Sequence, residues 1–344
     1  MVTQNRTFVI AEAGVNHNGK LDLAIELIDI AKACGADAVK FQTFSADDLV
    51  LKGAAKAEYQ TRETGEGDQY EMLKSLELSE DAHRVLVRHC TQVGIEFMST
   101  PFGEPELMLL KSLGMKILKI PSGELTNHPY VRFAARQSMP ILLSTGMSDL
   151  EEVCQTVALI RDTHTMYCGR TPNLTVLHCT SNYPAAAEEA NLKAMLTLQT
   201  TLDVEVGYSD HTLGVGVSTA AVALGAKVIE KHFTIDKGLK GPDHKASLEP
   251  AELKMLVEQI RQVEVALGDG TKRATASELK VRDVARRSIV LKHDVLAKHL
   301  LTEGDLVMRR PGVGLSPAEL DKVIGKKTRA NLSKGHLIGL EDVE

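Results

Sequence analysis

Eight short apolar runs, each closing on residues suited to chemistry, recur along this chain as far as His232. Residues 9–11 lead to Glu12, 38–39 to Lys40 and Gln42, 96–98 to Ser99 and Thr100, and 117–120 to Ser122 and Glu124. Residues 141–143 lead to Ser144 and Thr145, and 176–179 to Ser181 and Tyr183. Residues 204–206 lead to Ser209, Asp210 and His211, and 228–230 to Lys231 and His232. Runs this short and this apolar suit parallel strands buried beneath helices. Amphipathic segments lie between them, at 21–34, 79–93, 104–113, 148–161, 192–199, 213–224 and 250–267. In the first, Leu23, Leu27, Ile30 and Ala31 share a face and Gly35 ends it. Eight strand–helix repeats predict a (β/α)8 TIM barrel, an α/β fold whose active site is built at the carboxyl ends of its strands. Two histidines, several lysines and two glutamates at that mouth point to a metal-assisted enzyme acting on an anionic substrate.

A barrel of this kind needs about 250 residues, and the chain has 344. The surplus predicts three parts: a catalytic barrel over 1–270, a linker over 271–283 and a small, mostly β module over 284–344. Strand-like pieces fall at 288–292, 306–308 and 324–326. A module that small makes a poor independent core and should lean on another surface. The net charge of −6 divides into a mildly basic tail and an acidic remainder, without the long basic run a nucleic-acid partner would want. Five cysteines, an odd number without CxxC spacing, argue against a disulfide framework and a cysteine-based zinc site. The polar first residues leave no room for a signal peptide, and the apolar stretch 213–229 contains Lys227 and many small residues, so it reads as a buried helix feeding a strand. A cytoplasmic protein with no membrane partner is expected. The long polar segment 44–68 reads as a lid or substrate-binding loop.

His211 and His232 fall at the ends of neighbouring strands, and a two-imidazole site suits a divalent transition metal with positions open for water and substrate. His178, inside its strand, reads as a hydrogen-bonded structural residue. Lys40 and Lys119 are either Schiff-base nucleophiles or fixed positive charges for phosphate and carboxylate. Thr100, Ser122, Ser181 and Ser209 could donate hydrogen bonds to the same anion. No GxxxxGK[ST] loop is present, which favours a small phosphorylated substrate over a nucleotide. Glu12 and Glu124 are acid–base candidates. Residues 16–19 read as a turn and helix cap.

Together these segments resemble the sialic acid (N-acetylneuraminate) synthase family. The motifs are Ala11-Glu12-Ala13-Gly14-Val15-Asn16-His17-Asn18-Gly19, Val39-Lys40-Phe41-Gln42-Thr43 and Ser99-Thr100-Pro101-Phe102. They continue with Lys119-Ile120-Pro121-Ser122-Gly123-Glu124, Ser144-Thr145-Gly146-Met147, Gly207-Tyr208-Ser209-Asp210-His211-Thr212, Glu230-Lys231-His232-Phe233-Thr234 and Gly241-Pro242-Asp243-His244. In the tail, Arg309-Arg310-Pro311-Gly312-Val313-Gly314 is similar to the centre of the antifreeze-like (SAF) domain. The resemblance implies condensation of phosphoenolpyruvate with N-acetylmannosamine and water, giving N-acetylneuraminate and phosphate by carbon–oxygen cleavage. A legionaminic acid synthase using a 2,4-diacetamido-6-deoxy sugar is the alternative, and a Schiff-base pyruvate aldolase is a more distant one.

It further implies that His211 and His232 hold a divalent metal, Mn²⁺ first and Mg²⁺ or Co²⁺ next. Lys40, Thr100, Lys119, Ser122, Ser181 and Ser209 would bind phosphoenolpyruvate. Glu12, Gln42, Tyr183 and Asp243 would contact the sugar. Glu124, with Glu12 and Lys119, would be catalytic, Glu124 as base for the attacking water. Many family members carry Asn where this chain has Ser181, with Asn182 one place on. The SAF domain would cover the partner's barrel in a domain-swapped homodimer, with Arg310 of the partner subunit reaching the sugar's acyl group.

Overall fold

Eight parallel strands build the first unit: β1 (Phe8–Gly14), β2 (Ala38–Thr43), β3 (Glu96–Pro101), β4 (Leu118–Ile120), β5 (Ile141–Ser144), β6 (Leu174–Cys179), β7 (Glu205–Asp210) and β8 (Val228–His232). They follow one another round a ring from β3 through β2, β1, β8, β7, β6 and β5 to β4, and β3 meets β4 again. That is the predicted barrel. The structure is a computed structural model and describes residues 6–344. It divides into one unit ending at Gly268 and a second over Asp269–Glu344. The β3–β4 seam is held partly by side chains. Ser99 N–H donates to Met115 Sδ at 3.4 Å, and the Tyr130 hydroxyl donates to the Pro101 carbonyl at 2.9 Å.

Side chains alternate across a strand, so every second residue enters the barrel. At the amino end Ile10, Ala38, Met98, Leu142, Leu177 and Val228 pack into an apolar plug. Gly207 completes that layer on β7. A Cβ there would lie 2.5 Å from the Val228 carbonyl oxygen and 2.6 Å from a Leu177 methyl, so only glycine fits. The intervening residues, among them Val9, Ala11, Val39, Phe41, Leu118, Val176 and Ile229, face outward into the main core beneath the helices. One step above the plug the interior turns polar on all eight strands: Glu12, Lys40, Thr100, Lys119, Ser144, Cys179, Ser209 and Glu230.

The segment 44–68, read from sequence as a loop, contains helices Ala46–Leu49 and Glu58–Thr64, and a third, Gln69–Lys74, follows. Asp68 caps the third, its carboxylate accepting from Glu71 N–H at 2.8 Å. Another unforeseen helix, His128–Ala135, lies between β4 and β5, started by the Asn127 cap and Pro129. Each is under nine residues, too short for helical periodicity to show in sequence. Among the described residues no helix is long and apolar enough to cross a membrane.

The second unit begins with the exposed helix Ala276–Ala285. It then pairs β9 (Ser288–Leu291) with β10 (Leu306–Arg309) antiparallel, Ser288 opposite Arg309. Residues 324–326 form no strand. They follow a 3₁₀ turn, and Gly325 donates its N–H to Leu301 O at 2.8 Å. Ile289, Leu291, Val295, Leu301, Leu306, Val323, Ile338 and Val343 make this unit's own core. Beside it sits the buried Asp305 carboxylate. It accepts from Thr302 N–H and Thr302 Oγ1, both at 2.7 Å. His293 Nε2 lies 2.9 Å away and His299 Nε2 3.2 Å away. Burial pushes this acid up, but the Thr302 donors and two imidazoles outweigh it and hold it well below the usual carboxylate range. A group depressed in the folded state stabilises above its unfolded pKa of about 4, and that contribution fades as pH falls below it. Asp305→Asn should therefore cost the second unit about 1–3 kcal/mol at neutral pH. Urea unfolding followed by circular dichroism should show the gap to wild type narrowing as the pH is lowered through 4.

Candidate active site

Above the apolar plug, a cavity of about 520 Å³ opens at the carboxyl ends of the strands. At its floor the polar layer forms one charge array. Lys40 Nζ lies 2.9 Å from Glu12 Oε2 and 3.5 Å from Glu230 Oε2, and donates to Thr100 Oγ1 at 2.8 Å. Lys119 Nζ donates to Glu230 Oε1 at 3.0 Å, where Ser209 Oγ also donates at 2.9 Å. Gln42 Nε2 reaches Glu12 Oε1 at 3.3 Å. Every member of the array but Gln42 is buried. Charges taken out of water survive only by such pairing.

The two carboxyls diverge. Burial pushes both up, but Glu230 sits between two ammonium groups that bring it well below the ordinary range, so it is a carboxylate. Glu12 has Lys40 alone at close range and feels the Glu230 charge, and burial pushes it up to about 7. Lys40 is stripped of water, yet the two carboxylates raise its pKa, leaving a fixed cation. A protonated, ion-paired amine is a poor Schiff-base nucleophile.

On the β4–β6 side Ser122, Ser181, Ser144 and Cys179 line the wall. Gly146 N–H donates to Ser122 Oγ at 2.9 Å, and Cys179 Sγ lies 3.2 Å from the same oxygen. A Cβ at Gly146 would fall 2.1 Å from Ser181 Oγ and 3.0 Å from Ser122 Oγ, so the missing side chain is what leaves this hydroxyl cradle open. Hydroxyls beside Lys119 and Lys40 make a place for an anion.

On the neighbouring β7–β8 side, the His211 and His232 rings lie 5.7 Å apart. His211 Nδ1 donates to the Thr180 carbonyl at 2.6 Å, which leaves Nε2 as the ring's acceptor. Burial holds His211 neutral, down to about 4, and pushes His232 well below its ordinary value. His232 Nδ1 is buried without a hydrogen-bond partner among the described residues, and Asp243 Oδ2 stands 4.0 Å from it. Tyr183 lies tilted at 4.2 Å from the His211 ring and edge-on at 5.6 Å against His232. Neutral imidazoles, one oriented by a carbonyl and one with an orphaned nitrogen, suit a divalent cation. No group of three or more His, Cys, Asp or Glu side chains gathers as a metal cage among the described residues.

Behind the imidazoles, on the outer face of the sheet, Lys231 Nζ pairs with Asp210 Oδ2 at 2.9 Å, both fully buried. Asp210 and Lys231 face one another in the β7–β8 register and immediately precede His211 and His232 in the chain. Thr212 N–H and Oγ1 donate to Asp210 Oδ1 at 2.8 Å, and Lys231 donates to the Thr212 carbonyl.

Of the residues singled out from sequence, Glu12, Lys40, Gln42, Thr100, Lys119, Ser122, Glu124, Ser181, Tyr183, Ser209, His211, His232 and Asp243 all line this cavity. Glu124 stands half-buried at the rim, its Oε2 accepting from Asn127 at 2.6 Å. Arg310 lies exposed in the second unit, directly after β10. His178 is tied to the Ala190 carbonyl at 2.8 Å, a structural residue as read. Glu230 was missed as a site residue. Its signal was the strand alternation itself, since a residue two before His232 must share its inward face.

A barrel with a buried ammonium–carboxylate array, a hydroxyl cradle and paired imidazoles defines an enzyme for small anionic substrates. The chain belongs to the NeuB family, which it matches over residues 27–272, followed by a match to the SAF domain over 286–344. It is accordingly a synthase that forms a carbon–carbon bond between phosphoenolpyruvate and a sugar. Among its relatives is the N,N'-diacetyllegionaminic acid synthase of Legionella pneumophila, 52% identical with 98% of this chain and 94% of that protein covered. The enzyme of the same name from Campylobacter jejuni is 48% identical, with 97% and 99% covered. The crystal structure of N-acetylneuraminic acid synthetase from Leptospira borgpetersenii, in complex with citrate, has a TM-score of 0.71 at 34% identity. It covers 80% of this chain and 90% of that one. These relatives correct the expected acceptor. N-acetylmannosamine, giving N-acetylneuraminate, was the first reading. Near-full-length identity of 52% and 48% to diacetyllegionaminic acid synthases favours the alternative instead.

Lys231→Met should lower stability by about 3–5 kcal/mol, because it strands the Asp210 charge in a dry site. Adding Asp210→Asn should recover more than half of that loss in urea unfolding.

Proposed function

We propose that this enzyme condenses phosphoenolpyruvate with the open-chain form of a 2,4-diacetamido-6-deoxy sugar, giving a diacetamido nine-carbon 2-keto acid and phosphate. The observation that carries this reading is the near-full-length identity to two diacetyllegionaminic acid synthases. The floor chemistry supports it. Lys40 and Lys119 are fixed cations within a water-poor barrel, where they attract a polyanion far more strongly than at a surface. Together with Thr100, Ser122, Ser181 and Ser209 they bind the phosphate and carboxylate of phosphoenolpyruvate. Glu12, Gln42, Tyr183 and Asp243 hold the sugar.

His211 and His232 would hold the divalent ion, Mn²⁺ foremost, which supplies Lewis acidity to the aldehyde oxygen. Carbon 3 of phosphoenolpyruvate bonds to the aldehyde carbon, and the aldehyde oxygen becomes a hydroxyl. Glu12, pushed up to about 7, is a carboxyl able to hand over that proton at neutral pH. Water adds to carbon 2 as positive charge develops there, and Glu124 at the rim takes its proton. The tetrahedral intermediate then breaks its carbon–oxygen bond, releasing phosphate and leaving the keto group. The homodimer belongs to the same proposal, with Arg310 of the partner subunit on an acyl carbonyl; a guanidinium fork suits that contact better than an ammonium would. Mixed dimers of Arg310→Ala and His211→Ala chains would regain activity that neither homodimer has.

In water labelled with heavy oxygen, mass spectrometry should find no label in the released phosphate; label there would mean attack at phosphorus. Exhaustive chelation should abolish phosphate release, and Mn²⁺ should restore it better than Ca²⁺, which prefers an all-oxygen shell. Glu124→Gln should lower turnover at least 100-fold, a typical general-base contribution being about 10²–10⁴, with unfolding unchanged.

A further inference from the structure

One side of the cavity is chemically unlike the rest. Val15, Phe44, Met72 and Leu76 pack there as a buried apolar cluster, joined by Leu49 and Leu73, and all six line the cavity. Phe102 closes the cluster edge-on against Phe44 at 6.0 Å. Met72, Leu73 and Leu76 come from the helix Gln69–Lys74 and the residues after it, part of the long insertion that follows β2. The charged floor takes up the reacting groups, and nothing in carbon–carbon bond formation calls for a greasy wall. A hydroxyl pressed against such a wall gives up its water without gaining a partner, whereas a methyl gains from burial. Gln69, at the start of the same helix, also lines the cavity and is an amide of the type that pairs with an acetamido group.

We infer that this apolar wall is the acceptor-specificity surface, seating the methyl at carbon 6 and sorting 6-deoxy from 6-hydroxy sugars. The inference rests on the diacetamido reading above and adds to it which residues discriminate and which carbon they read. Hydrophobic pockets reject an added hydroxyl by at most about 100-fold. Discrimination of about 10–100-fold is therefore expected, expressed in the KM of the sugar and not in that of phosphoenolpyruvate.

The test is phosphate release from the intact, metal-loaded enzyme with two acceptors that differ only at carbon 6. These are 2,4-diacetamido-2,4,6-trideoxymannose and its 6-hydroxy counterpart, with N-acetylmannosamine as a third arm. The 6-deoxy sugar should win in kcat/KM, and Leu73→Asn should shrink that preference toward unity while leaving the KM of phosphoenolpyruvate unchanged. Equal kcat/KM for the pair in wild type would overturn the inference without any variant, and so would a preference that survives both Leu73→Asn and Leu49→Asn in folded protein. Turnover of N-acetylmannosamine alone, with neither diacetamido sugar used, would instead overturn the functional reading beneath it.

Discussion

Two lysines and two glutamates buried in a barrel interior are the constraint on which the site depends. A lone ammonium or carboxylate at that depth would be neutralised or expelled. Lys40 and Lys119 keep their place because Glu230 spans them and Glu12 takes the remaining side of Lys40. The arrangement is unsymmetrical, and that is its use. Glu230 is saturated by cations, whereas Glu12 is under-compensated and titrates near neutrality. Two carboxyls of ordinary chemistry thus acquire different protonation behaviour from their surroundings alone.

The barrel converts a strand period of two into layers. The apolar plug supports the charged floor from below, excluding water from the amino end and leaving the mouth as the open side. Above the floor the hydroxyl cradle on the β4–β6 side and the imidazoles after β7 and on β8 line the same cavity. The ends of β7 and β8, which carry the imidazoles, are anchored from outside by the Asp210–Lys231 pair. Polar networks on both faces of one strand pair therefore act on the same two residues. Of the metal-ligand candidates, His232 closes β8 and His211 follows directly on β7, and positions held this close to a strand suit the precision that catalysis demands.

The two units answer different physical problems. The first buries a large core of aliphatic residues between sheet and helices. The second has a core cluster of only eight buried apolar residues and a single two-stranded sheet. It compensates with a buried carboxylate, Asp305, whose partners Thr302, His293 and His299 all lie in the connection between β9 and β10. A small core supplemented by a local charge network is a common resort where burial is limited.

Much of this was legible in the chain itself. Apolar runs closing on Glu12, Lys40, Lys119, His211 and His232 specify eight parallel strands and name the mouth residues, because alternation and short strands leave few other folds. The sequence alone also marks His178 as structural, since it lies within its strand and not at the end. What only the tertiary structure decided is pairing and protonation. Glu230 looked like one strand residue among many until closure of the ring brought β8 beside β1 and within reach of Lys119 on β4. The short helices after β2, and with them the apolar wall, were hidden because segments of four to seven residues carry no periodic signal. Which carboxyl stays charged depends on distances between residues as far apart as 12 and 230, and a sequence holds no record of distance until the chain has closed.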